Sequence, residues 1–261
     1  MAAIVRLRRE YHVVAWSIVV IIFLYFVLPI AGATEFSLAE TVTETGKQTY
    51  GLDAYRMIFD YPEFIDALKV TLRLTVISVA LSLVIMVPTV TMVHLGAKRY
   101  RRLVEFVSIQ PLVIPPVVLV LGVLNFMPTS WKGTPNLLGF EYAILSMPFT
   151  FRALDAGLMN LDVKTIVDAA RGLGASWFTV LVRIVAPNLR TGIFGAVFLT
   201  IALVLGEFTM ASLMLWNTFP TWIATVGQSN ASLSVALSVA SLAFAWVLLV
   251  LISLADRKKK A

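Results

Sequence analysis

Asp168-Ala169-Ala170-Arg171-Gly172-Leu173-Gly174, followed after nine residues by Ile184-Val185-Ala186-Pro187, is the stretch whose reading decides the fold. It belongs to the longest part of the second half of the chain that cannot sit in a membrane. Asp162, Lys164, Asp168 and Arg171 crowd together, and Arg183 and Arg190 follow. Asp162 suits a helix N-cap, and Gly174 suits the position just past a helix end. Between them Val163, Ile166, Val167, Ala170 and Leu173 keep helical spacing, with Lys164, Thr165, Asp168 and Arg171 on the opposite face. Ser176 is placed to cap a second short helix from Trp177 to about Val185, which Pro187 then closes. Each helix is far shorter than the ~20 residues that a bilayer span needs. The expectation is an amphipathic elbow, 160–190, lying against membrane helices from the cytosolic side.

These residues carry a resemblance. Asp168-Ala169-Ala170, three residues, Gly174, nine residues and Ile184-Val185-Ala186-Pro187 resemble the E-A-A, G, I-x-L-P signature of permease subunits in binding-protein-dependent ABC importers. The departures are Asp168 for Glu and Ala186 for Leu. The resemblance implies an all-α integral membrane protein with six transmembrane helices, the type I ABC importer permease fold. It also implies that the elbow is a coupling helix seated in a groove of an ATPase subunit, with Asp168, Ala169, Ala170, Gly174 and Pro187 as the coupling residues. The small residues Ala169, Ala170, Gly172 and Gly174 would let another protein's surface approach the backbone. The plain alternative is an amphipathic linker with no docking role. The partners so implied are two ATPase subunits, a second permease subunit (a different chain, as in the family's polyamine members, or a second copy of this one), an extracytoplasmic solute-binding protein and the lipid bilayer. No cofactor is expected in this chain, ATP-Mg belonging to the ATPase partners.

Composition agrees with a membrane protein. Of 261 residues, 59 % are apolar and only 14 % charged. The net charge of +6 is distributed by side: 16 of the 21 Lys and Arg fall on one face of the topology given below. That asymmetry is the positive-inside pattern and calls for lipid head groups, not nucleic acid. The chain has no cysteine, which excludes disulfides and thiolate chemistry.

Read in order, Arg6, Arg8 and Arg9 precede an apolar run over 13–33. Ala31-Gly32-Ala33 looks like a signal-peptidase site, but the run exceeds the ~7–15 residues of a signal core, so an uncleaved first span is expected. Residues 34–65 read as an acidic outer segment, either a surface for the binding protein or a solvated connection. Further spans are expected at 70–93, 106–126, 138–158, 193–215 and 233–254. Lys98-Arg99-Tyr100-Arg101-Arg102 and the closing Asp256-Arg257-Lys258-Lys259-Lys260 mark the inner side. Pro88 is expected to kink the second span, and Pro111, Pro115 and Pro116 to bend the third. The fourth carries Glu141, Pro148, Arg152 and Asp155, the last pair spaced to meet on one helix face. An aromatic outer turn from Trp216 to Trp222 separates the last two spans. One membrane domain, 1–261, in the bacterial cytoplasmic (inner) membrane with both termini cytosolic, fits every basic cluster.

Catalytic chemistry is thin. Gly46-Lys47 is followed by Gln48, so no phosphate-cradling loop is present and ATP hydrolysis by this chain is not expected. His12 and His94 have no carboxylate at metal-ligand spacing, and no metal site is expected. A self-sufficient secondary transporter or channel is the alternative class, weakened by the lack of inverted internal symmetry. Gly206-Glu207-Phe208 after the elbow resembles spermidine/putrescine permeases, which implies a polyamine; ferric iron, thiamine or an anion stays open. Glu207 is the expected substrate-pathway residue, since a carboxylate within a span faces a bundle interior or water. Arg73 is predicted at a similar depth, so the two either serve the pathway or neutralise each other.

Overall fold

The computed structural model describes residues 2–39, 49–96, 98–159 and 161–257. Glu40, Glu44, Lys47 and Lys258 to Lys260 lie outside them, as do the side chains of Arg6, Arg8, Arg9 and His12. Among the described residues the chain is helical, with one isolated antiparallel bridge between Ala39 and Tyr50. It divides into two compact units, Met1–Tyr61 with Ile223–Phe244, and Pro62–Trp222 with Ala245–Ala261.

The first unit is built on α1 (Ala2–Leu38), which runs without a break through Ala31-Gly32-Ala33. Ile21, Phe23, Tyr25 and Phe26 are all exposed around its circumference. A helix apolar on every side is a helix made for lipid. The short α2 (Asp53–Met57) is tied to its end by a 2.7 Å hydrogen bond between the Ser37 and Tyr55 hydroxyls.

The second unit carries the functional features. Its frame is α3 (Pro62–Leu95) against α7 (Asn136–Met159). Small hydroxyls bring these helices together: Ser78 donates to the Gly139 carbonyl at 3.0 Å, and Ser82 and Ser146 share a hydrogen at 2.6 Å. In an apolar bundle such contacts stand in for hydrophobic association, which lipid cannot drive. α3 continues through Pro88 as one helix. α4 (Arg101–Val113) and α5 (Pro116–Phe126) meet at a 100° bend, so the third span over 106–126 is bent at its prolines, as expected, and sharply enough to part it into two helices. The reason is local, because Pro115 and Pro116 offer no amide and hold Ile114 extended at ψ 126°. A single turn, α6 (Thr129–Lys132), leads into α7.

The elbow follows as α8 (Val163–Gly172), α9 (Trp177–Thr179), a π-helical stretch over Val180–Val185, and α10 (Ala186–Asn188). Pro187 therefore does not close the second elbow helix at Val185 as expected. The widened π turn precedes it, and the Asn188 side chain donates to the Ile184 carbonyl at 2.7 Å. The chain instead turns by 84° at Leu189 into α11 (Arg190–Gly206). α11 lies so near α7 that a Cβ on Gly192 would stand 2.9 Å from the Ala153 carbonyl oxygen. The expected fifth span over 193–215 is broken as well. Glu207 and Phe208 leave the helix, and a five-residue α12 (Thr209–Leu213) resumes after them. The aromatic outer turn contains α13 (Phe219–Gly227), whose start is ordered by the Thr218 amide donating to the Thr221 hydroxyl at 2.7 Å. The chain's last long helix is α14 (Ala231–Arg257). Among the described residues, Val14–Leu38 and Pro62–Leu95 qualify as membrane spans by length and composition, rising to four spans if each bent pair is one.

Candidate functional site

The elbow is assembled from its own caps. The Asp162 carboxylate accepts from the Thr165 amide at 3.3 Å, and the Ser176 hydroxyl accepts from the Thr179 amide at 3.2 Å. Hydrogen bonds from the Thr165 side chain and, next, its amide hold the Asp162 carboxyl below the usual aspartate range. Gly174 adopts φ +83°, a left-handed conformation that side chains disfavour, while the space where its Cβ would point is open. Arg171 bridges the turn, donating to the Ala175 carbonyl at 2.7 Å with its guanidinium 5.2 Å from the Trp177 ring.

One face of α8 is locked inward. Val163, Val167 and Ala170 pack with Met86 and Val90 of α3, Phe151, Leu154 and Leu158 of α7, and Ala196 of α11. Each buried valine contributes roughly 1.5–3 kcal/mol. Two expectations change here. Ala170 belongs to this core and offers no surface to a partner. Leu173, expected on the core face, is 89 % exposed because the helix ends at Gly172 and the chain swings outward. Asp168, Ala169, Gly174 and Pro187 are exposed, and Phe178 joins Leu173 at 76 % exposure.

A second polar locus sits where α11 breaks. Glu207 Oε1 accepts from the Met210 amide at 2.8 Å, and Oε2 accepts from the Ala211 amide at 3.3 Å and the Tyr142 hydroxyl at 2.7 Å. Glu207 thus caps α12 and ties it to α7. The alternative of neutralisation by Arg73 is not realised, since no ion pair joins the two. Arg73 is exposed, lines a cavity of about 590 Å³ with Lys69, Val76, Asn136 and Phe140, and has no ion-pair partner among the described residues. Glu141, one residue before Tyr142, is 5 % exposed, and neither of its carboxylate oxygens has a hydrogen-bond partner.

A third locus was not expected. Asp155 takes His94 Nε2 at 2.8 Å and Arg101 on its other oxygen, joining α7 to the end of α3 and the start of α4. Arg152, expected to pair with Asp155, reaches Glu105 at 3.2 Å instead. The sequence signal was a histidine and a carboxylate both near inner ends of spans, 61 residues apart. No group of three or more His, Asp or Glu side chains that could hold a metal occurs among the described residues.

The model of the family described as binding-protein-dependent transport system inner membrane component matches residues 95–260. The chain belongs to this family. As a member of the binding-protein-dependent permeases it is 27 % identical over 188 residues to spermidine/putrescine transport system permease protein PotB of Escherichia coli (strain K12), covering 64 % of this chain and 67 % of that protein. It is 32 % identical over 171 residues to Sulfate permease 2, chloroplastic, of Chlamydomonas reinhardtii, covering 60 % of this chain but only 46 % of that protein. Its fold is that of solved ABC importer permeases. A bacterial alginate ABC transporter in complex with an alginate pentasaccharide-bound periplasmic protein aligns at TM-score 0.67 and 18 % identity over 96 % of both chains. An amino acid ABC transporter with histidines aligns at TM-score 0.54 and 19 % identity over 79 % of this chain and 98 % of that one.

Proposed function

We propose that this permease forms one half of the channel of an ATP-driven importer. It crosses the inner membrane six times with both termini in the cytosol. It has no ATPase site of its own; two ATPase subunits carrying ATP-Mg, a second and different permease chain, and an extracytoplasmic solute-binding protein complete the transporter. Its elbow docks an ATPase through Asp168, Ala169, Gly174, Pro187, Leu173 and Phe178. The observation that carries this reading is the exposure of Leu173 and Phe178 on a helical elbow whose other face is fixed in the core. A push on the outer face of α8 reaches Leu154 of α7 directly. Tyr142 lies twelve residues further along α7, about 18 Å at the α-helical rise. Its bond to Glu207 links α7 to the break in α11, so motion at the elbow is felt at the mid-membrane locus.

The favoured cargo is a polyamine such as spermidine or putrescine, with Glu207 on its pathway. The reading is supported by the likeness to PotB and by two carboxylates, Glu141 and Glu207, beside one another in the bundle. An anion is the second reading, favoured by exposed Arg73 in its basic cavity.

Leu173→Glu tests the docking. Gly174 is the poorer probe, because any side chain there strains the backbone whether or not a partner is present. A charge at Leu173 costs the fold nothing, so membrane level stays at wild type while ATPase co-purification and uptake are lost. Wild-type co-purification would overturn docking at this face. Uptake of labelled putrescine against labelled sulfate by the reconstituted transporter decides the cargo.

A further inference from the structure

Glu207 is engaged on both oxygens, by Tyr142, Met210 and Ala211. Glu141 does not. Both of its oxygens are buried, and no donor reaches either. Its place on α7 is set by helical spacing: Leu138 and Leu145, three before and four after, pack in the cluster that holds Val204 of α11 and Met210 and Ala211 of α12. Glu141 therefore stands on the seam between α7 and the broken helix, within electrostatic reach of Glu207.

A carboxyl group buried without a partner is unfavourable by several kcal/mol, and in a membrane bundle such a group marks a place where a ligand or ion is met. Its cover is slight. α12 is five residues long, with extended Glu207 before it and Leu215, at φ 59°, after it. Both ends are points at which the segment can pivot, and the Tyr142–Glu207 bond is its polar tie to α7. The chemistry of what Glu141 would receive is narrow. A metal ion needs several oxygen ligands, and both Glu207 oxygens already accept hydrogen bonds. One ammonium group, bringing its own N–H donors, satisfies a bare carboxylate by a charge-assisted bond.

We propose that Glu141 is an ammonium-receiving site of the translocation pathway, disclosed when α12 moves away from α7. This rests on the polyamine reading above. During transport the Glu141 carboxylate accepts N–H donors from one amino group of the cargo, and Glu207 stays bound to α12 and supplies negative potential beside it.

The test uses the complete transporter in proteoliposomes, with ATPase, partner permease and binding protein. Glu141→Gln and Glu141→Met both remove the charge. A carboxyl without partners holds nothing in place, so both variants keep wild-type membrane level and melting temperature, while the KM for labelled putrescine rises at least tenfold. Unchanged KM overturns the proposal; so does a fall in melting temperature in both variants, which would give Glu141 a structural partner. An apolar carbodiimide reports on the site independently of transport. It labels Glu141 in cycling transporters, and putrescine slows the labelling whereas sulfate does not. If the wild-type transporter carries sulfate and no polyamine, the cargo reading fails, and labelling alone decides Glu141: protection by putrescine upholds an ammonium site, and indifference to it overturns one.

Discussion

Asp162 and Glu207 do the same job in two different solvents. Each carboxylate begins a helix by accepting from backbone amides, Asp162 from Thr165 and Glu207 from Met210 and Ala211. Around Asp162 water can replace the bond, and the residues involved are three apart. Around Glu207 the bundle excludes part of the water, and the cap is completed by Tyr142 from 65 residues away. The same interaction is a local convenience at the elbow and a tertiary tie at the break in α11. Unmade hydrogen bonds are expensive where water cannot enter, so the two caps differ in what their loss does.

The largest effect is expected at Glu207. Glu207→Leu strands two amides and the Tyr142 hydroxyl, a loss on the order of 3 kcal/mol or more. The purified protein should melt at a markedly lower temperature, and Arg73→Gln should not rescue it, because the two residues are not paired. Rescue by Arg73→Gln would restore mutual neutralisation and break the comparison. Glu207→Gln keeps acceptor oxygen for one amide and should fall between Leu and wild type.

A smaller effect is expected at Tyr142. Tyr142→Phe leaves the ring in its fully buried place and removes only the tie to Glu207. The loss is about 1.5–3 kcal/mol, typical of a hydrogen bond to a charged group. The two amides still hold the carboxylate, so the melting temperature drops less than with Glu207→Leu. Equal drops would mean that the cross-helix bond, and not the cap, carries Glu207's whole contribution.

Legibility followed the same divide. The elbow's N-caps Asp162 and Ser176 and the turn at Gly174 were readable because each depends on neighbours within four residues. So was the chemical reason for the bend at Pro115-Pro116, though not its size. A 100° bend is set by what packs around it, and composition does not show that. Leu173 obeyed helical periodicity and was misplaced because periodicity does not say where the helix stops. The pairings Tyr142–Glu207 and His94–Asp155 span 65 and 61 residues and were not readable from spacing at all. Glu141 was visible as an odd residue in a span, but only the packing of α7 against α12 shows that it is unpaired.

The smallest effect belongs to Asp162, and pH isolates it. Its carboxyl is held below the ordinary aspartate range by hydrogen bonds from the Thr165 side chain and, next, the Thr165 amide. A group whose folded value is depressed adds stability that is complete above its unfolded value and lost as the pH falls through the folded one. The cap is therefore indifferent to pH across the neutral range and fails only below about pH 4, where aspartate ordinarily titrates. Hydrogen exchange at the Thr165 amide reads this directly, taken as a ratio to Leu173, whose amide is held by the Ala169 carbonyl and not by a side chain. On acidification the ratio should rise in the wild type. Asp162→Asn keeps an acceptor but cannot titrate, so its ratio should stay flat, and Asp162→Ala should show the raised ratio at every pH. Uptake at neutral pH should change little in either variant, since water takes the place of the missing acceptor. A wild-type acid response that persists unchanged in Asp162→Asn would assign it to another group and remove Asp162 from the comparison with Glu207.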